Sequence, residues 1–427
     1  MIKRILVYLL IFQIFLFNFF TAYAAPSLLS EAAILIDADT GTILAQKNAD
    51  KKMYPASLTK IMTAILAIEM GKLTDVITVD NETPHEIAGS HIALEAGEIL
   101  TLKDLLYALM LPSANDAASV IAKHYGKSLD GFVNIMNQKA KELGAYNTHF
   151  ENPHGLHSDN HYTTAGDMAL ITKYAMENET FRKIVATTRY EIQTTNKKDE
   201  TRPFTTLNKL LYNTSNNQIL VDGVYISPYY EYATGAKTGY TPEAGNCLVA
   251  TAEKDGTKLI AVTMKGVSLE MYQDVHNLFN YGFKEYECAT LVCKNTFIKN
   301  IKITNGDSKE ISVITESDLT ALVEKSSVDK IKSNITMDDI TLPIEKNSIV
   351  GKIEYTLNNE VIGTVNLISP ISVKSTAVEG QGNIFFSIVK FIGFLILFAA
   401  VSILLLKIYN DIRIKVNRKK RRRKYSS

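Results

Sequence analysis

Tyr54-Pro55-Ala56-Ser57-Leu58-Thr59-Lys60-Ile61-Met62-Thr63 places a serine and a lysine three residues apart, at the head of an apolar run that continues to Met70. Pro and Ser at its start predict a helix from about Pro55 to Met70. On a helix, positions i and i+3 share a face, so Lys60 can reach the Ser57 hydroxyl without help from the rest of the chain. A serine needs such a base to become a nucleophile, and a helix start favours negative charge developing there. An amine serves as base only if burial or a neighbouring cation lowers its pKa. Ile61, Met62, Ala64, Ile65 and Leu66 are apolar over most of the circumference, so the helix is expected to be buried. A lysine on a buried helix needs a reason.

The spacing alone is weak, because it recurs at Ser327–Lys330 and Ser387–Lys390. Two further triplets strengthen it. Ser113-Ala114-Asn115 follows the apolar stretch Leu105–Leu111 and Pro112, so a hydroxyl and an amide stand at the tip of a turn. Both residue types are also good helix N-caps. Competing matches at Ser158-Asp159-Asn160 and Ser215-Asn216-Asn217 lie in polar sequence with no buried helix beside them. Lys237-Thr238-Gly239 occurs once and ends a predicted strand. A Lys and a Thr there can offer a cation and a hydroxyl to a carboxylate, and Gly admits a close backbone.

Around these triplets, Ala32–Ile36 and Ile43–Ala45 flank Asp39-Thr40-Gly41 and read as a hairpin. Thr101-x-x-Asp104 is a capping box, a helix starts near Asn115, and Asp167–Met176 is helical. The segment His149–Tyr162 is loop-like. Ala233–Thr238, Cys247–Ala252 and Leu259–Met264 read as consecutive strands, and Met271–Phe283 as a closing helix. Strands at both ends of a helical middle describe an α+β domain with a mostly antiparallel sheet. From Ala289 to Val373 the texture turns to short β-branched runs (Ile301–Ile303, Ile311–Ile314, Ile340–Pro343, Lys352–Thr356, Val361–Ile368), a small all-β domain.

The ends are not globular. Lys3 and Arg4 precede the apolar run Ile5–Phe20 and a small-x-small pattern at Ala22-Tyr23-Ala24, the form of a secretory signal peptide over residues 1–24. Ile384–Leu406 is predominantly apolar, with Lys390 its one charge, and is long enough to span a bilayer. A polar linker, residues 374–383, precedes it. The tail 407–427 holds ten Lys/Arg against Asp411 alone, which by the positive-inside rule puts the tail in the cytoplasm and the body outside. Removing the two N-terminal charges and the net nine of the tail from a total of +1 leaves the body at −10, so a nucleic-acid partner has no electrostatic support. Cys247, Cys288 and Cys293 are too few for a disulfide scaffold. Cys288 and Cys293 could pair, but burial of all three as small apolar residues is the simpler expectation. The group His149, His154, His157 and His161 fits no common zinc spacing, so no metal is expected.

The order helix start, inter-helix turn, strand is the signature of the penicillin-recognising serine enzymes. The surrounding residues narrow the resemblance. Tyr54–Thr63, Leu111–Ala117, Asn152-Pro153-His154-Gly155-Leu156, His161–Ala169 and Gly235–Thr241 look like the low-molecular-mass D-alanyl-D-alanine carboxypeptidases, over about Leu29 to Phe283. The resemblance implies a transpeptidase/β-lactamase-like catalytic domain, residues 25–288, with an antiparallel sheet and a helical subdomain. The β-rich domain 289–373 and a transmembrane helix 384–406 would follow. It further implies that Ser57 attacks the penultimate D-alanine of a peptidoglycan stem pentapeptide and forms an acyl-enzyme. Lys60 would take its proton, Ser113 pass it to the departing D-alanine, and Asn115 hold Lys60 and the substrate amide. Lys237, Thr238 and Gly239 would meet the terminal carboxylate, with the backbone N–H groups of Ser57 and Tyr240 as oxyanion hole. Lys265 is the nearest candidate for a further carboxylate-binding cation. No cofactor enters, and β-lactams would inhibit. A β-lactamase of class A would need a Glu-x-x-Leu-Asn between the second and third triplets, which is absent; Glu151 lies in the interval in the wrong context. A silent wall-binding protein would have no need of three intact triplets.

Overall fold

The computed structural model describes residues 26–86, 88–213, 216–376 and 381–424 of the chain. The expected signal peptide and part of the expected linker lie outside the described residues. The chain divides into two compact units: Met1–Ala289 with Ala321–Lys330, and Thr290–Thr320 with Ile331–Ser427.

The first unit is built on a five-stranded antiparallel sheet. Its strands are β1 (Ala32–Asp37), β2 (Ile43–Lys47), β3 (Ala233–Thr241), β4 (Gly245–Lys254) and β5 (Thr257–Gly266), in the order β2-β1-β5-β4-β3. The sheet has core on both faces. Ile34 and Ile36 of β1, Val249 of β4 and Ile260 and Val262 of β5 face one cluster. Their alternates Leu35, Leu248, Ala250, Leu259 and Ala261 face another, with Val275, Leu278 and Phe279 of helix α7 (Glu270–Glu285). Because successive side chains point to opposite faces, burial on both sides writes continuous apolar runs rather than alternation. The larger cluster joins the sheet to helices α1 (Lys60–Met70), α2 (Leu102–Met110), α3 (Asn115–Gly126), α4 (Leu129–Glu142), α5 (Ala165–Glu177) and α6 (Glu179–Ala186). This is the expected α+β fold.

Local chemistry sets the ends of these helices. Thr101 and Asp104 form the predicted capping box at the start of α2. Ser128 caps α4 by accepting from the Gly131 N–H, and Thr164 caps α5 from Asp167. The stretch expected as one helix from Pro55 is two elements. A single 3₁₀ turn, Ala56–Thr59, leads into α1, and Ala56 sits at φ 47, in the left-handed region.

In the second unit, β6 (Phe297–Lys302), β7 (Glu310–Thr315), β8 (Lys332–Met337), β9 (Ile349–Leu357) and β10 (Glu360–Ile368) form an antiparallel sheet in the order β6-β7-β10-β9-β8. Ile311, Val313, Val350, Ile353, Val365 and Leu367 are its core. The run Ile340–Pro343 is not a strand. Proline has no N–H to give a ladder, and the edge position is taken by β8, whose sequence Lys-Ser-Asn-Ile-Thr-Met alternates only at Ile335 and Met337. Helix α8 (Gln381–Lys424) contains the whole expected span and continues into the basic tail. Its Phe386–Arg418 stretch is long and apolar enough to cross a membrane. All three cysteines are free; Cys247 is buried as expected, but Cys288 is half-buried and Cys293 exposed.

Candidate active site

Ser57 stands on the 3₁₀ turn and Lys60 opens α1, so the two face one another across less than one turn, with Lys60 Nζ 3.0 Å from Ser57 Oγ. Lys60 is fully buried. Its ammonium also donates to Asn115 Oδ1 at 2.7 Å and to the His154 carbonyl at 2.6 Å. Burial drives the Lys60 pKa well below the usual lysine range, and the nearby Lys237 charge lowers it further against the pull of Asp116. The shift is in the direction that its expected role as a base requires.

Asn115 does not cap α3. The N-cap is Ala114, without a side-chain cap, while Asn115 Nδ2 donates to the Ala88 carbonyl at 2.6 Å and its N–H to the Ser90 carbonyl at 2.7 Å. Its amide is therefore committed between Lys60 and the segment Ala88–Leu94. Asp116, the next residue, accepts from the Ile92 and Leu94 N–H groups at 3.1 Å each and so pins that segment. Ser113 is nearly buried and lies at φ 66, an uncommon conformation for a residue with a Cβ.

β3 closes the site from the sheet side. A Cβ added at Gly239 would lie 3.1 Å from both the Pro55 carbonyl oxygen and the Ser57 nitrogen, so the strand edge runs tight against the Ser57 turn. Lys237 is buried two residues earlier, donates to the Thr238 carbonyl at 2.9 Å, and is lowered to about 7 by desolvation. Thr238 is half-buried and Tyr240 largely exposed. The loop Phe150–Tyr162 closes the other side: Gly155, at φ 89, lies where an added Cβ would be 1.8 Å from the Ala56 carbonyl oxygen.

A cleft of about 390 Å³ opens over these groups, lined by Ser57, Ser113, Thr238, Gly239 and Tyr240 together with residues not anticipated from the sequence, Ser90, Leu207, Lys209, Asn246, Met271 and Tyr272 among them. A larger cavity of about 590 Å³ lies elsewhere, beside Thr234, Thr251 and Arg182, and contains none of the three motifs. Lys265 does not reach the cleft lining. Its ammonium is paired with Glu31 Oε2 at 2.9 Å, and its backbone, at φ 58, has left the extended conformation. Among the described residues lining the cleft, Lys209 alone carries a charge, and its ammonium donates to the neutral Asn217 amide oxygen. Of the competing spacings, Ser327 and Lys330 share a 3₁₀ turn away from the cleft, Ser158 donates to Glu151, and Ser215 lies outside the described residues. No group of three His, Cys, Asp or Glu able to hold a metal occurs among the described residues.

A serine–amine pair, a buried amide bonded to that amine and a strand edge pressed on the serine's turn form the layout expected of a serine acyl-transfer enzyme of the penicillin-recognising fold. Residues 20–268 match the peptidase S11 family, D-alanyl-D-alanine carboxypeptidase, and residues 286–375 match the penicillin-binding protein 5 C-terminal domain. The chain is 34% identical to the D-alanyl-D-alanine carboxypeptidase DacF of Bacillus subtilis, over 81% of this chain and 85% of that one. It is 30% identical to the D-alanyl-D-alanine carboxypeptidase DacC of Escherichia coli, over 86% and 92%. Among solved structures, penicillin-binding protein 5 of Haemophilus influenzae superposes with a TM-score of 0.63 at 27% identity, covering 83% of this chain and 100% of that one. The Streptomyces K15 DD-transpeptidase superposes with 0.55 at 31% identity, covering 61% and 99%. The chain belongs to the S11 family of penicillin-binding, serine-type D-alanyl-D-alanine carboxypeptidases.

Proposed function

We propose that Ser57 is the residue acylated when this carboxypeptidase removes the terminal D-alanine of a stem pentapeptide. Neutral Lys60 takes the Ser57 proton as Oγ bonds to the penultimate carbonyl carbon. The amide C–N bond breaks, and the proton passes through the Ser113 hydroxyl to the departing amine. Water then cleaves the ester and frees Ser57. Asn115 keeps Lys60 aimed, Thr238 and protonated Lys237 face the terminal carboxylate, and the Ser57 and Tyr240 N–H groups hold the oxyanion. β-Lactams occupy the same site and leave a slow ester. The observation that carries this reading is the 3.0 Å approach of a fully buried lysine to an otherwise ordinary serine.

The further cation at the cleft is Lys209 rather than Lys265, because Lys265 is paired with Glu31, whereas Lys209 donates to the neutral Asn217 amide and has no carboxylate partner among the described residues. We assign residues 1–24 to a signal peptide, 25–288 to the catalytic domain, 289–373 to the β-rich domain, 374–383 to a linker and 384–406 to a membrane span. The basic tail is then cytoplasmic and the catalytic unit extracytoplasmic. The direct test is release of D-alanine from a peptide ending in D-alanyl-D-alanine. The wild type releases one D-alanine per peptide and Ser57→Ala releases none. Lys209→Met should weaken carboxylate-bearing substrates about tenfold, the worth of a charged hydrogen bond, and Lys265→Met should not. Equal effects of the two lysine variants would overturn the assignment of Lys209.

A further inference from the structure

His161 belongs to the histidine group that the catalytic reading leaves unused, yet it is buried against the nucleophile's helix. Its Nδ1 lies 3.1 Å from the Glu151 N–H and its Nε2 lies 2.8 Å from Thr59 Oγ1. The backbone N–H can only donate, so Nδ1 carries no proton and the neutral ring must carry its proton on Nε2. Nε2–H then donates to Thr59 Oγ1, whose single hydroxyl proton is left to donate to the Ala56 carbonyl, 2.9 Å away. Every donor in this chain of hydrogen bonds points one way: Glu151 to His161 to Thr59 to Ala56. Burial first, then the neighbouring His149, His157 and Lys60, lower the His161 pKa to about 3, so the ring stays neutral.

The end of the chain matters. The Ala56 carbonyl and the Ser57 N–H belong to one peptide unit, which is planar, so aiming the carbonyl aims the N–H on the opposite side. Ala56 is at φ 47, where a residue with a Cβ needs outside support. Gly155 lies close against the same carbonyl, with no room there for a Cβ. The geometry points to His161 as a positioning residue that, through Thr59, fixes the Ala56–Ser57 peptide and aims its N–H at the developing oxyanion. This rests on the proposed oxyanion role of the Ser57 N–H.

A misaimed oxyanion donor acts in the transition state and not in ground-state binding. The experiment measures the acylation rate constant and the pre-acylation binding constant separately, in the full-length chain, counting active molecules by penicillin titration. His161→Leu and Thr59→Val should each lower the rate constant about 10- to 100-fold, with binding changed less than about twofold, since one oxyanion donor is worth about 100- to 1,000-fold. The double variant should be no slower than either single one, because both break one chain. His161→Gln and Thr59→Ser retain the donors and should stay within about threefold of wild type, which covers the case that His161→Leu does not fold. Additive losses, or a reduced active fraction at an unchanged rate constant, would reduce His161 to packing and overturn the proposal. A substrate ester whose scissile carbonyl oxygen is replaced by sulfur separates the two readings. If wild type handles both esters alike, the oxyanion reading itself fails. If wild type prefers oxygen and His161→Leu keeps the same preference and rate, only the role of His161 fails.

Discussion

Replacing Lys237 by methionine should stabilise the protein, and by an amount that depends on pH. Lys237 is buried and lowered from 10.5 to about 7 by desolvation, with one hydrogen bond among the described residues, to the Thr238 carbonyl. Between pH 7 and the unfolded value near 10.4 the unfolded chain holds more protons than the folded one, so stability contributed by this group rises with pH. At 1.36 kcal/mol per pKa unit, the lysine destabilises the fold by about 4 kcal/mol at pH 7 and by about 1 kcal/mol at pH 10. Methionine fills similar space but abandons the hydrogen bond, a loss of about 1 kcal/mol. Lys237→Met should therefore be about 3 kcal/mol more stable than wild type at pH 7 and about equal to it at pH 10. Because Lys237 also depresses Lys60, the variant relaxes that strain too, which adds to the gain and keeps its sign. Urea unfolding of the full chain in mild detergent, followed by far-UV circular dichroism because the chain has no tryptophan, measures the difference. Groups shared by both proteins cancel in it. A variant no more stable than wild type at pH 7, or a gain that persists to pH 10, would refute the reasoning.

Lys60→Ala should fold but acylate about 100- to 10,000-fold more slowly, the usual range for a lost general base; unimpaired turnover would remove Lys60 from the mechanism. In wild type the acylation rate should rise with pH as Lys60 loses its proton and fall as Lys237, near 7, loses its own, and Lys237→Arg should extend the alkaline limb because arginine stays charged. Gly155→Ala puts a Cβ 1.8 Å from the Ala56 carbonyl at φ 89, and should lower both stability, by more than about 2 kcal/mol, and acylation, as read by thermal melting and penicillin binding.

The three motifs were legible as motifs because each is written in side chains at short spacing, and the structure brings residues of all three to one cleft; the central strands were legible because burial on both faces makes continuous apolar runs. Helix α4 was missed: no helix was expected over Leu129–Glu142, although Phe132, Met136 and Ala140 recur at helical spacing behind a Ser128 cap. Other features leave no such trace. Lys60 is held by the His154 carbonyl and Asn115 by the Ala88 and Ser90 carbonyls, and a backbone oxygen is the same in every residue. Ala56 adopts a conformation that glycine would have announced. Lys265 looked well placed along the chain, but its side chain follows the Glu31 carboxylate, a partner 234 residues away. The polar edge strand β8 pairs through its backbone, so its side chains did not mark it.

The central claim is that Ser57, activated by a buried Lys60, forms the acyl-enzyme. The most direct measurement is intact mass and peptide mapping of the full-length protein after exposure to a fluorescent penicillin. One adduct per chain on Ser57, absent in Ser57→Ala and slow to hydrolyse, is the predicted result. An adduct on any other serine, or a folded wild-type protein that neither binds nor hydrolyses the drug, would contradict it.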